Sequence, residues 1–289
     1  MRLRKKSRRR KITGILIFLC IFVLLTALVL TVNYFNNQNV YLTEYEYANE
    51  NLPAAFDGYR IAVIADIHNS VYADKFIELL EQAKPDAVLF AGDMIQKPDE
   101  SLNNVLKIIH ALPNDMRIYG IFGNHEASNG YIKRKKISDS LREAGVTMLI
   151  NSYDNITKDG ETIRIIGIED VPDEFIDDEE LQKIRKTINS NVLKDSFNIL
   201  AYHRADMYPQ ISDLPIDLIL SGHMHGGIIR LPFVGGVIGK QGNLFPKYTS
   251  GVYKETSAAM IVSRGCDFNP DKARLFNPPE VVLITLIQD

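Results

Sequence analysis

Asp217-Leu218-Ile219-Leu220-Ser221-Gly222-His223-Met224-His225-Gly226-Gly227 passes from an apolar run into two histidines fenced by glycines. The run reads as a buried strand and the glycines as the tight loop that ends it. A strand end that presents two imidazoles side by side suits a metal, because neutral imidazole is a common metal ligand. A loop with two surface histidines fits the same residues, so the rest of the chain has to decide.

The same transition recurs four times. Ile61-Ala62-Val63-Ile64-Ala65 stops at Asp66-Ile67-His68, and Ala87-Val88-Leu89-Phe90-Ala91 stops at Gly92-Asp93. Ile118-Tyr119-Gly120-Ile121-Phe122 stops at Gly123-Asn124-His125-Glu126, and Asn198-Ile199-Leu200-Ala201-Tyr202 stops at His203. Of the six histidines only His110 falls outside this pattern, on a predicted helix, and it reads as structural. Packing does not call for Asp, Asn or His at the ends of five apolar runs. In α/β sheets, ligands bind at the carboxyl ends of the strands.

These ends supply Asp66, His68, Asp93, Asn124, His203, His223 and His225. Two divalent metals need about four protein ligands each, with positions left open for water and substrate. Seven residues with one bridging carboxylate meet that need. Mixed nitrogen and oxygen donors suit Mn, Fe, Zn or Co rather than Mg or Ca. Thiolate ligation is excluded, because the chain has two cysteines and one of them, Cys20, lies in a long apolar segment. For the same reason no disulfide can form within the remainder.

That segment, residues 12–32, has no charged residue and is long enough, at about 30 Å as a helix, to span a bilayer core. Eight of the 33 basic residues precede it, and the first acidic residue is Glu44. The positive-inside rule places the N-terminus in the cytoplasm and the rest outside the cell membrane. Ser7-Arg8-Arg9 matches a twin-arginine signal only in part. Asn33-Tyr34-Phe35-Asn36-Asn37 offers no small-residue cleavage pattern, so the segment reads as an uncleaved signal anchor. The portion beyond it keeps 25 basic residues against 36 acidic, a formal charge of −11. A nucleic-acid binder needs a basic footprint, and the balance here runs the other way.

The chain thus divides into a basic tail (1–11), an anchor (12–34), a linker (35–55) and a globular domain (56–289). Residues 36–51 read as linker or edge strand. From 56 onward apolar strands alternate with helical patterns at 73–84, 101–112 and 131–144, an order that implies a largely parallel sheet. Residues 155–168 alternate around Lys158-Asp159-Gly160 as a hairpin. A surface helix is predicted over 177–193 and single strands over 252–263 and 281–287. The expected fold is an α/β sandwich of mixed sheets flanked by helices. Residues 228–248 set Phe233, Val234, Leu244 and Phe245 among glycines. Such a loop beside an active site is a lid or lipid contact, or else folds against its own core.

Asp-x-His, Gly-Asp, Gly-Asn-His-Glu, a lone His and Gly-His-x-His occur in that order, separated by 27, 31, 79 and 20 residues. In this the chain resembles the calcineurin-like metallophosphoesterase superfamily, and within it a bacterial membrane-anchored or exported phosphodiesterase branch. The resemblance implies a four-layer sandwich. It implies that Asp66, His68, Asp93 and His225 bind one metal, and that Asp93, Asn124, His203 and His223 bind a second, Asp93 bridging. It implies His125 as the general acid, with a metal-bridging hydroxide attacking phosphorus in line. The second block lacks the Asp-Arg of protein phosphatases, reading Gly92-Asp93-Met94-Ile95-Gln96-Lys97. Arg204 could grip substrate phosphate or be a surface salt-bridge residue. The anchor favours substrates at the membrane surface, lipid-linked ones among them. A nuclease or cyclic-nucleotide phosphodiesterase and a catalytically silent metal-binding scaffold or sensor are the alternatives. Oligomeric state has no signal in the sequence.

Overall fold

The computed structural model describes residues 2–96, 101–172, 176–239, 242–267 and 274–289. The chain opens with helix α1 (Arg2–Asn37), whose stretch Lys11–Asn37 is long and apolar enough to cross a membrane. Its apolar side chains, Phe18 and Leu24 among them, stand exposed.

Two six-stranded sheets follow. The first runs β1 (Tyr41–Asn49), β14 (Glu280–Gln288), β2 (Arg60–Ile64), β3 (Ala87–Ala91), β4 (Arg117–Ile121), β5 (Thr147–Met148). The second runs β12 (Gly251–Tyr253), β13 (Ala259–Val262), β9 (Leu218–Gly222), β8 (Asn198–Arg204), β7 (Glu161–Ile168), β6 (Ser152–Lys158). A separate small hairpin pairs β10 (Ile229–Leu231) with β11 (Gly235–Ile238). Strands β2 to β5 are parallel, as are β7, β8, β9 and β13, while β14, β6 and β12 join antiparallel to β2, β7 and β13.

The alternation of each strand sorts its residues between two cores. In β2 and just beyond it, Ile61, Val63 and Ala65 face the opposite sheet, meeting Ile199, Ala201, Leu218 and Leu220. Ala62 and Ile64 face outward to Phe76 and Leu80 of α2 (Ala73–Ala83) and to Val105 and Ile108 of α3 (Asn103–Ala111). A short α4 (Asn124–Ala127) and α5 (Tyr131–Glu143) follow β4. On the far side Leu200 and Tyr202 pack against Ile184 and Ile188 of α6 (Asp178–Asn191) and Tyr208 of α7 (Tyr208–Ile211). Strands buried on both faces must be apolar at every position, which is why these runs lack the hydrophobic–polar alternation of a half-exposed strand. The layers are helix, sheet, sheet, helix, as expected.

One expectation needs correction. Residues 252–263 are not one strand. The polar Lys254-Glu255-Thr256-Ser257 leaves the sheet, with Glu255 N donating to Tyr208 Oη (3.1 Å) and Thr256 Oγ1 to Ser212 O (2.8 Å). Of the two readings of residues 36–51, linker or edge strand, the structure has the edge strand. α1 runs on to Asn37, and Tyr41–Asn49 pairs parallel with β14 over all nine residues as the sheet edge. The sandwich therefore begins at Tyr41. His110 is exposed on α3.

Candidate metal centre

Loops leaving β2, β3, β4, β8 and β9 converge at one end of the sandwich. The backbone there is forced into the left-handed region at Asp66, His68, Asp93, His223 and His225, with φ between 49° and 70°. Non-glycine residues occupy that region at a cost, and such strain gathers at functional sites. Hydrogen bonds between neighbouring loops hold it, from Asp66 N to Gly92 O (3.1 Å) and from His68 N to Asp93 O (3.0 Å).

Three imidazoles are set in the same way. His68 Nδ1 lies 3.0 Å from Ile95 O, His203 Nδ1 2.7 Å from Ala91 O, and His225 Nδ1 3.2 Å from Asp267 Oδ1. Carbonyl and carboxylate oxygens only accept, so each Nδ1 carries the proton. Each ring therefore turns its Nε2 inward, the nitrogen that is free to ligate when the ring is neutral. All three Nε2 atoms are buried with no hydrogen-bond partner, and so is Asp93 Oδ2. Yet they face one another, with Asp93 Oδ2 3.3 Å from His203 Nε2 and 3.9 Å from His68 Nε2. Asp66 Oδ1 is 3.4 Å from His225 Nε2 and 3.7 Å from His203 Nε2. Buried polar atoms converging without bonding to one another are what a cation would satisfy.

The atoms fall into two groups sharing Asp93. Ligand-type atoms of Asp66, His68, Asp93 and His225 lie within 4.8 Å of one another, as do those of Asp93, His203 and His223. Asn124 joins the second group through Oδ1, 2.9 Å from His223 Nδ1. His223 is thus turned opposite to the others, its Nε2 lying 3.5 Å from an Arg204 Nη1.

The charge balance asks for a cation. Burial works against a charged His203, but the adjacent Asp93 and Asp66 outweigh it and push its pKa up to about 10. Burial likewise opposes the Asp93 charge, and His203 with His68 overcomes it and holds the carboxyl well below its usual range. His68, farther from Asp93, is shifted down by burial. A metal in the cluster would take over the compensation that the proton on His203 now provides.

The sequence reading placed Arg204 on substrate or in a surface salt bridge. It is buried, with Nε donating to Asp170 Oδ1 at 2.6 Å and an Nη to Val171 O at 3.1 Å, so its fork is engaged by the protein. Burial pushes the pKa of Asp170 up to about 6 in spite of that arginine. Glu126 and Asp267 escaped the sequence reading. Glu126, fully buried, accepts from the backbone N–H groups of Asp93 (3.0 Å), Ile95 (2.9 Å) and Gly123 (2.9 Å), joining the loops after β3 and β4. Burial, with Asp93 beside it, pushes its pKa up to about 7. Asp267 fixes the His225 ring and is held by Arg274 Nη1 at 3.1 Å. Burial alone would raise its pKa, but His225 and Arg274 hold it well below the carboxylate range.

Gly123 is required for space. Its φ of −97° suits any residue, but a Cβ would stand 2.3 Å from Asp93 Oδ1 and 2.6 Å from Asp93 N. Gly123→Ala is expected to cost about 1–3 kcal/mol by overpacking. That should lower the melting temperature of metal-free protein by about 2–4 °C per kcal/mol at this size. Calorimetry showing an unchanged transition would contradict the steric account.

Residues 59–227, which contain this whole cluster except Asp267, match the family described as calcineurin-like phosphoesterase. The chain is 30% identical over 257 residues to metallophosphoesterase YkuE of Bacillus subtilis, covering 84% of each protein. It is 28% identical over 231 residues to protein YpbG of the same organism, covering 78% of this chain and 80% of that one. To phosphodiesterase YaeI of Escherichia coli it is 28% identical over 184 residues, covering 61% of this chain and 64% of the relative. By the length of the matched span and the identity shared across most of both chains, this protein belongs to the calcineurin-like phosphoesterase family.

Proposed function

We propose that the chain is a phosphodiesterase that uses two divalent metals and cleaves a P–O ester at the outer face of the cell membrane. The observation that carries this reading is the set of three buried imidazoles whose Nδ1 atoms are engaged and whose Nε2 atoms converge on Asp93 and Asp66. Asp66, His68, Asp93 and His225 would hold one ion. Asp93, Asn124, His203 and His223 would hold the other, drawn from Mn, Fe, Zn or Co by the mixed donor set. Bound there, the metals supply Lewis acidity that neutralises phosphoryl charge and acidifies water.

The remaining work falls to the chain. His125 is placed by its own backbone N–H, which donates to Asp93 Oδ1 at 2.8 Å, with its Nε2 3.9 Å from Asp93 Oδ2. In this reading it gives its proton to the departing oxygen. Glu126 keeps the Asp93 and Gly123 loops in register, and Arg204 with Asp170 backs His223. Burial of the cluster excludes competing water from the ligands. The name of the Escherichia coli relative supports a diester, and the acidic domain argues against a long polyanion. Eight basic residues before the apolar run support an inside N-terminus and an outside domain.

The test is hydrolysis by the full chain in detergent, stripped of metal and reloaded with Mn. Faster turnover of bis-p-nitrophenyl phosphate than of p-nitrophenyl phosphate is expected. The reverse preference would make the protein a monoesterase. Asp267→Ala tests the support of His225 separately. Metal affinity, measured by competition with a chelating dye, is expected to fall about 10–100-fold, and less in Asp267→Asn, which keeps an acceptor. A lowered melting temperature with unchanged affinity would make Asp267 a packing residue only.

A further inference from the structure

Exposed apolar side chains are distributed very unevenly over the domain. Among the described residues beyond α1, twelve large apolar side chains stand exposed. Ten of them lie at the end that carries the metal-ligand cluster, including Val71, Ile132, Phe233, Val234, Leu244 and Phe245. The other two, Tyr153 and Val252, lie on the edge strands β6 and β12. The opposite end shows none among the described residues. It carries a hollow lined by polar groups such as Asn51, Lys194, Asp195, Asp217 and Lys254. A soluble face does not gather its apolar exposure at one end; such patches mark contact with a partner or a membrane.

The membrane helix arrives at this same end. α1 leads into β1 at Tyr41, which pairs with Glu280 at the start of β14, and β14 runs antiparallel to β2. The start of β1 therefore lies where β2 delivers Asp66 and His68. The join is specific. Asn33 Nδ2 donates to Arg274 O (2.8 Å), and Phe276 N donates to Asn33 Oδ1 (2.7 Å). Between them, Leu275 pairs with the apolar hairpin, its N–H reaching Ile228 O (3.1 Å) and its carbonyl taking Arg230 N (3.0 Å). An Nη of Arg274 also reaches the carbonyl of the ligand-type His225 (3.1 Å). Asn33 is the first residue after the apolar run, and Tyr34 and Phe35 beside it are exposed, as aromatic residues are at a membrane interface. Phe233 stands in the tight turn that closes the hairpin joined to Leu275, with Val234 N donating to Leu231 O (3.2 Å). It is fully exposed.

We propose that the apolar loops at this end, led by Phe233, Val234, Leu244 and Phe245, sit in the interfacial layer of the bilayer that α1 spans. The metal-ligand cluster then opens onto lipid headgroups, and the phosphoester it meets is one borne by a membrane amphiphile. This deepens the phosphodiesterase reading and rests on it for the chemistry, though the docking itself does not.

The sequence contains no tryptophan, so one introduced tryptophan reports without background. Full-length Phe233→Trp and Phe245→Trp, reconstituted in phosphatidylcholine–phosphatidylglycerol vesicles, are compared with Phe22→Trp in the anchor and Lys158→Trp at the opposite end. With acyl-brominated lipid, the two loop probes are expected to lose about half their emission or more and to shift blue, as side chains buried several ångströms into the interface do. Phe22→Trp is expected to be quenched and Lys158→Trp unchanged. Loop probes that behave like Lys158→Trp would overturn the docking, and an unquenched Phe22→Trp would overturn it together with the anchor. Two loop positions guard against one variant failing to fold. Turnover of a soluble diester by the same vesicles reads the phosphodiesterase assignment separately, so either can fail without the other.

Discussion

Asp93→Asn is expected to reduce diester turnover about a thousandfold or more, ~4 kcal/mol of barrier. Asp93 is the one carboxylate common to both ligand groups. Its Oδ1 accepts from His125 N, while its Oδ2 faces His203 at 3.3 Å and both His68 and His125 at 3.9 Å. An amide keeps the shape but removes the charge, and it can turn N–H hydrogens where a bridging oxygen has to be. Metal content per chain should fall together with turnover. The measurement is steady-state kinetics on reloaded protein beside elemental analysis of the same sample. A variant that keeps more than a tenth of wild-type activity would mean that Asp93 does not bridge.

His125→Asn should separate substrates by their leaving group. The His125 side chain is 17% exposed, against 9% or less for His68, His203 and His225. In the proposed reading it is the imidazole of the site that a departing alcohol would reach. Proton donation of this kind contributes about 10²–10⁴-fold. That full loss is expected for an alkyl phosphodiester, whose alkoxide cannot leave unprotonated. With p-nitrophenolate, which leaves without a proton, the loss should be about tenfold or less. Equal losses on both substrates would assign His125 to the support of the cluster rather than to proton transfer.

Much of the fold was legible because the central strands are buried on both faces. Runs such as Ala87–Ala91 and Leu218–Gly222 must then be apolar throughout, and the step to Asp93 or His223 is abrupt. The residues that gather into the two groups were legible for the same reason, since each stands at such a step. Edge elements were less readable. β1 has one face toward solvent, and only Tyr47 of its nine residues is buried, so its pattern is weak. The supporting residues were not readable at all. Asp267 meets His225 across 42 residues of sequence, in a loop with no periodicity, and Arg204 finds Asp170 across 34. Only the folded chain makes those pairs. The exposed apolar loop at the ligand end was half legible. The apolar residues of 228–248 were evident, but a loop folded against its own core fitted them as well. The structure leaves Phe233, Leu244 and Phe245 exposed.

The most direct test of the central claim is metal content against turnover. Full-length protein stripped by chelator would be titrated with Mn, with bound metal per chain and hydrolysis of bis-p-nitrophenyl phosphate read at each step. The account predicts no turnover when stripped, binding that saturates at about two ions per chain, and activity that rises with occupancy. Undiminished hydrolysis by the metal-free protein would contradict it.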